Sequence, residues 1–219
     1  MSGSARPSPE YVLGYSEQEQ KRLLWQAGMV RGWTKRFFRA AGLGPGMRVL
    51  DLGCGMGDVS LLVAEFVGPN GSVVGIDRDP AALNQASKRT AQQGCSAFVS
   101  FVEADVNTFH SEEPFDAAVG RYVLLYQPDP VATLRQLNRM VSPGGLLVFH
   151  ECDFGSPVTM WPEAPPLWQK TMQLLAEVFR RAGTPPDFGL RLTRTFLDAV
   201  LYKNSILLSF ERSGAFSAW

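Results

Sequence analysis

Apolar residues recur at helical spacing through the first part of the chain. Leu23, Leu24, Ala27, Val30, Trp33, Phe37, Phe38 and Ala41 fall mostly three or four apart, which builds one long apolar face on a helix. Ser16-Glu17-Gln18-Glu19 ahead of this run reads as a capping box, serine at the cap and glutamate three residues on. Gly42-Leu43-Gly44-Pro45-Gly46 ends the helix.

Beyond that point the period switches between strand and helix. Short apolar strands are expected at residues 48–52, 73–76, 98–102, 115–119 and 146–149. Helices are expected at 58–66, 80–93 and 129–141, with Pro80 in a first turn and Gly94 just past an end. Gly68-Pro69-Asn70-Gly71 and Ser142-Pro143-Gly144-Gly145 supply turns between them. The remainder is less regular: a proline-rich loop at 152–166, helices near 167–182 and 192–201, and a closing strand at 206–210. Such alternation predicts an α/β architecture, a Rossmann-like, doubly wound, mostly parallel sheet with helices on both faces.

Composition narrows the partners. The chain has 219 residues with 45% hydrophobic and 19% charged, ordinary for one globular domain. Lys plus Arg equals Asp plus Glu at 21 each, so no global field favours a polyanion, and no nucleic-acid partner is expected. No apolar run reaches the roughly 18 residues of a membrane span, and no membrane partner is expected. Cys54, Cys95 and Cys152 are far apart with no CxxC pair, which suggests neither a disulfide framework nor a metal site and fits a reducing cytoplasm. Residues 1–10 hold Ser, Gly and Pro without a signal-peptide core and read as a loose tail. Oligomeric state is not legible; a homodimer is one option.

The chemistry concentrates in Val49-Leu50-Asp51-Leu52-Gly53-Cys54-Gly55-Met56-Gly57. A strand ends near an acid, and three alternate glycines lead into a helix whose free N–H groups point at a ligand. The spacing is GxGxG, with Asp58 standing where the dinucleotide fingerprint GxGxxG needs its last glycine. Asp51 precedes the first glycine by two residues, where it could meet a cationic amino group. Asp77 ends the second strand, as an acid that accepts ribose hydroxyls should. Asp105 follows the third, where a carboxylate can accept from an adenine amino group. Three acids at successive strand ends describe a pocket along the carboxyl edge of the sheet.

Together these segments resemble the class I S-adenosylmethionine-dependent methyltransferases, and are most similar to the small-molecule branch that includes the quinone-biosynthesis methyltransferases. The resemblance runs from about residue 11 to 199. It includes the glycine motif, Asp77, Ala104-Asp105-Val106, Phe115-Asp116-Ala117 and Ser142-Pro143-Gly144-Gly145. It implies S-adenosyl-L-methionine as cofactor and methyl transfer to O, N or C of a small-molecule metabolite. It places Gly53, Cys54, Gly55 and Gly57 along the methionine part and Asp51 near its ammonium. Asp77 would hold the ribose, Arg78 the adenine face, Asp105 and Val106 the adenine edge, and Arg121 would sit near the transferable methyl. Residues 11–42 become a helical lid and 43–219 the methyltransferase domain. The family sheet closes with two further strands, the last antiparallel, whereas this chain offers one clear closing strand, a shortened end.

Substrate-side candidates are fewer. His150, with Glu151 beside it, closes the fifth strand on the cofactor edge and is the candidate general base. Tyr11, Tyr15, Tyr122 and Trp161 are candidates for the lid and acceptor walls, whose aromatic faces suit a sulfonium and a planar, partly apolar acceptor. Two rivals stand beside the enzyme: an S-adenosylmethionine-binding protein without turnover, and a nicotinamide-dependent oxidoreductase, which the glycine spacing disfavours.

Overall fold

The structure is a computed structural model that describes residues 17–155, 165–199 and 205–212. The chain runs α1 (Glu17–Ala41), β1 (Arg48–Leu52), α2 (Asp58–Val67), β2 (Ser72–Asp77), α3 (Pro80–Gln92), β3 (Val99–Glu103) and β4 (Phe115–Arg121). A 3-10 turn (Leu124–Tyr126) then leads to α4 (Pro130–Met140), β5 (Val141–Asp153), α5 (Pro166–Arg181), α6 (Phe188–Ala199) and β6 (Ser205–Arg212). Asp79 and Asp129 open α3 and α4 in the same way, each carboxylate accepting a backbone N–H at 2.9 Å while the proline after it takes the first helical position.

The strands form one sheet in the order β3-β2-β1-β4-β5-β6. Every pairing among the described strands is parallel. The chain builds outward from β1 through β2 to β3, then returns to the other side of β1 for β4, β5 and β6. That reversal opens a crevice at the carboxyl ends of β1 and β4, the usual binding place in an open α/β sheet. β6 runs parallel to β5, Leu146 facing Ser205 and Asp153 facing Arg212, so the antiparallel closing strand of the family pattern is not found among the described residues. A helical crossover through α5 and α6 brings the chain back in the same direction.

Both faces of the sheet are buried. Val49, Val73, Ala117, Val119 and Val148 pack with Phe38 of α1 and with α2. Leu50, Ala118, Leu147 and Phe149 pack with α4, α5 and α6 on the other side. β5 is therefore buried on both sides from Leu147 to Asp153, and it runs longer than the four residues its sequence suggests. α6 also begins earlier, at Phe188 rather than 192. Gly189 lets its first turn approach the end of β5: a Cβ there would lie 3.0 Å from the Cys152 carbonyl oxygen.

Candidate active site

The glycine turn after β1 is left-handed at each of its three glycines, with φ of 57° at Gly53, 51° at Gly55 and 78° at Gly57. Side chains rarely adopt this conformation, which explains the alternate glycines. The turn is held from several sides. Cys54 N–H donates to the Ile76 carbonyl at 3.0 Å, and Gly57 N–H to the Cys54 carbonyl at 2.8 Å. Arg89 of α3 donates to the Met56 carbonyl at 2.5 Å and to Asp58 at 2.7 Å. A Cβ on Gly53 would lie 2.7 Å from Val123, whereas one on Gly55 would meet nothing within 4 Å. Gly55 thus presents bare backbone to open space. The start of α2 has no side-chain cap, so its first N–H groups remain available to a ligand.

Asp77 sits beside this turn. One carboxylate oxygen accepts the Gly55 N–H at 2.8 Å and the other the Asp79 N–H at 3.0 Å. Arg78 reaches Asp105 at 3.6 Å. Asp105 in turn accepts from Asn107 through its backbone N–H at 2.8 Å and its side chain at 3.1 Å. Asn107 continues to Gln127 and Thr133, tying the segment after β3 to the start of α4.

A cavity of about 340 Å³ opens along this edge. Gly53, Cys54, Gly55, Asp77, Arg78 and Val106 form one end of its wall, with Arg121 at the end of β4 and Tyr122 just after it. These are positions expected from the sequence. The opposite end is built from residues the sequence reading missed: Tyr126, Cys152, Phe154, Leu175 and Phe179. The rings there are mutually packed, Phe154 against Phe179 at 5.0 Å and Tyr126 against Phe179 at 6.2 Å. Arg22, Leu23, Gln26 and Ala27 of α1 cover the cavity. Their spacing of one and four residues was a legible helix face, but nothing local said what it faced.

Several expected residues stand elsewhere. Asp51 is fully buried and does not line the cavity. Ser60 donates to one oxygen at 2.5 Å, and the other has no partner among the described residues. Burial pushes its carboxyl up to about 7 against the pull of Ser60 and Arg121. Gly57 and Asp105 also lie outside the wall, each tied to a residue that lines it, Cys54 and Arg78 respectively. Tyr11, Tyr15 and Trp161 lie outside the described residues.

His150 and Glu151, the expected general base and its neighbour, both lie outside the cavity wall. His150 is 2% exposed and does not line the cavity. Strand alternation sends it with Val148 toward α1, where its Nδ1 lies 3.3 Å from Thr34 Oγ1 and its ring packs near Phe37 and Tyr122. Desolvation, aided by the nearby Arg121 charge, pushes its pKa down to about 4. Glu151 points to the other face and is fully buried. It accepts the N–H groups of Val123 and Leu124 at 3.0 and 2.9 Å, capping the 3-10 turn, and burial pushes its carboxyl up to about 8. His150→Gln should accordingly leave turnover within about threefold, against the roughly 10²–10⁴-fold that loss of a general base costs. A steady-state assay on the folded variant decides.

Tyr122 is the only described non-glycine residue with positive φ, 57°. Its N–H donates to the His150 carbonyl at 2.9 Å, which locks this strained turn to β5 and holds the ring in the cavity wall. Thr34 accepts from Arg121 at 3.5 Å and donates to the Val30 carbonyl at 3.1 Å. The C-terminal half of α1 is therefore core, and its N-terminal half is cavity wall.

An all-parallel doubly wound sheet with a glycine turn, an acid at the end of β2 and a crevice at the strand reversal defines a Rossmann-like ligand-binding domain. The chain belongs to the methyltransferase-domain family, whose family model matches residues 43–189. It is similar to the 2-phytyl-1,4-naphtoquinone methyltransferase of Synechococcus elongatus, 37% identical over 118 residues, 53% of this chain and 51% of the relative. It is also similar to the demethylmenaquinone methyltransferase of Lactobacillus johnsonii, 30% identical over 128 residues, 58% of this chain and 52% of the relative. The chain thus spans about half the length of the curated relatives it matches. The solved StiE O-MT structure shares the fold, with a TM-score of 0.51 at 22% identity over 61% of this chain and 47% of that one.

Proposed function

We propose that the protein transfers a methyl group from S-adenosylmethionine to a small, flat, largely apolar acceptor, with a quinone-type ring as the leading class. The observation that carries this reading is the two-part cavity: a polar end at the glycine turn, Asp77 and Arg78, and an aromatic end at Tyr126, Phe154 and Phe179. The residues fit the cofactor. Gly55 leaves its backbone bare, and Asp77 supplies a carboxylate for hydroxyl donors. When bound, the group would supply a sulfonium methyl for transfer to the acceptor atom, the carbon–sulfur bond breaking as the new bond to carbon forms.

The chain's own residues supply position and dryness. Tyr122 and Arg121 stand between the two ends, and the side chains of α1 screen the cavity from water. The N-terminal half of α1 serves as the lid. No histidine lines the wall, so proximity carries most of the rate, worth about 7–11 kcal/mol when reactants are held in line. An acceptor with an acidic ring hydroxyl provides its own nucleophile, and the proton it loses goes to solvent. Three buried free thiols suit a reducing cytoplasm as the place of action.

The test is calorimetry followed by turnover. Purified protein should bind S-adenosylmethionine and its demethylated product, and should transfer labelled methyl to a reduced naphthoquinone lacking it. Binding without transfer across an acceptor panel would support the cofactor-binding rival. Tighter binding of a nicotinamide dinucleotide would overturn the reading.

A further inference from the structure

The outward face of α1 is explained by neither core nor cavity. From Lys21 to Arg39 the helix carries Lys21, Arg22, Arg31, Lys35, Arg36 and Arg39, and no Asp or Glu. The chain as a whole has zero net charge, so this is a concentrated cationic segment. Arg31 and Lys35 share the single carboxylate of Glu65 of α2, while Lys21, Arg36 and Arg39 remain exposed. Among these cations Trp25, Met29 and Trp33 stand one turn apart, with Leu24 beside them. Trp25 is 69% exposed and Trp33 48%, with the Arg36 guanidinium 5.5 Å above the Trp33 ring. Trp25 buries little and Trp33 only about half of itself, so the surface is built for something that covers it.

We propose that this face docks on an anionic lipid bilayer surface. Tryptophan prefers the headgroup level of a membrane, and exposed Lys and Arg draw a helix onto anionic lipid. Among the described residues no helix is long and apolar enough to cross a membrane, and docking requires none. A second copy of the chain fits less well, because self-pairing of the 21–39 segment sets cations against cations with no carboxylate in reply. The other side of the same helix lines the cavity through Leu23, Gln26 and Ala27, with Arg22 at its border. A docked α1 would hold the cavity wall at the depth where an acceptor with a long apolar chain resides. That last step rests on the acceptor reading above; the docking itself does not.

Co-sedimentation with vesicles tests it. The wild type should pellet with vesicles of phosphatidylcholine and phosphatidylglycerol, and much less with phosphatidylcholine alone. Trp25→Ala with Trp33→Ala should weaken partition by about tenfold or more, with an unchanged thermal melt showing that the fold is intact. Raising salt from about 0.1 M to about 1 M shrinks the screening length from about 10 to about 3 Å and should release the wild type. Methyl transfer to a short, water-soluble acceptor should be the same in both proteins, whereas transfer to an acceptor embedded in anionic vesicles should fall in the double variant. Wild type that ignores anionic vesicles overturns the proposal. So does a double variant that binds them equally well. A face that stays off vesicles, while the substitutions change oligomeric state or monomer stability, belongs to a second copy or to the chain's own first 16 residues. Vesicle binding without transfer to either acceptor would fail the acceptor reading alone.

Discussion

Asp77→Ala should lower affinity for S-adenosylmethionine at least about tenfold by calorimetry, since a hydrogen bond to a charged group contributes about 1.5–3 kcal/mol. The carboxylate lies in the cavity wall at the end of β2 and already accepts the Gly55 and Asp79 N–H groups at 2.8 and 3.0 Å. It holds the glycine turn, and on the proposed reading it also receives the ligand's hydroxyls; alanine would end both. Asp77→Asn separates them. The amide oxygen can still accept the Gly55 N–H, but the negative charge is gone and the amide nitrogen cannot accept. A large loss in both variants assigns the effect to the ligand. A loss in alanine with recovery in asparagine assigns it to the turn. Unchanged affinity in folded Asp77→Ala would remove the ribose role altogether.

The polar end of this cavity was legible because its signals are local. Alternate glycines between a strand and a helix, followed by an acid at the next strand end, need only the chain's own periodicity to place. The aromatic end was not, because Tyr126, Phe154 and Phe179 come from three segments brought together by packing. His150 and Glu151 were misplaced for a further reason. A strand of a parallel sheet covered on both faces shows no alternation of polarity, so nothing in 147–153 tells which side chains meet open space. The strained backbone of Tyr122 left no trace either, since glycine or asparagine would have marked it and tyrosine does not. The single clear closing strand was visible as an apolar run, but its direction depends on where α6 delivers the chain.

The buried acids predict an unusual pH dependence: the ligand-free protein should lose stability as pH rises from 6.5 to 8. Glu151 is pushed from 4.5 up to about 8 and Asp51 from 3.8 up to about 7, both chiefly by desolvation. A raised acid keeps its proton in the folded chain at pH values where the unfolded chain has lost it. Its contribution is complete below the unfolded pKa and declines as pH climbs toward the folded one. His150 acts in the opposite sense, being pushed from 6.5 down to about 4, so its contribution is lost as pH falls through that interval. Below 6.5 the two trends oppose each other; above it only the acids remain. Each unit of pH then costs about 1.4 kcal/mol per group still holding its extra proton, which sums to the order of 2 kcal/mol by pH 8. Urea midpoints measured across this window should fall accordingly. Glu151→Gln keeps an oxygen for the Val123 and Leu124 N–H groups and should flatten most of the slope, because Asp51, raised only to about 7, is already half deprotonated there and carries the smaller share. A midpoint that stays flat with pH above 6.5 in the wild type would mean that both acids are charged inside the fold. Glu151 would then be a fixed anion capping the 3-10 turn that carries Tyr126 to the cavity.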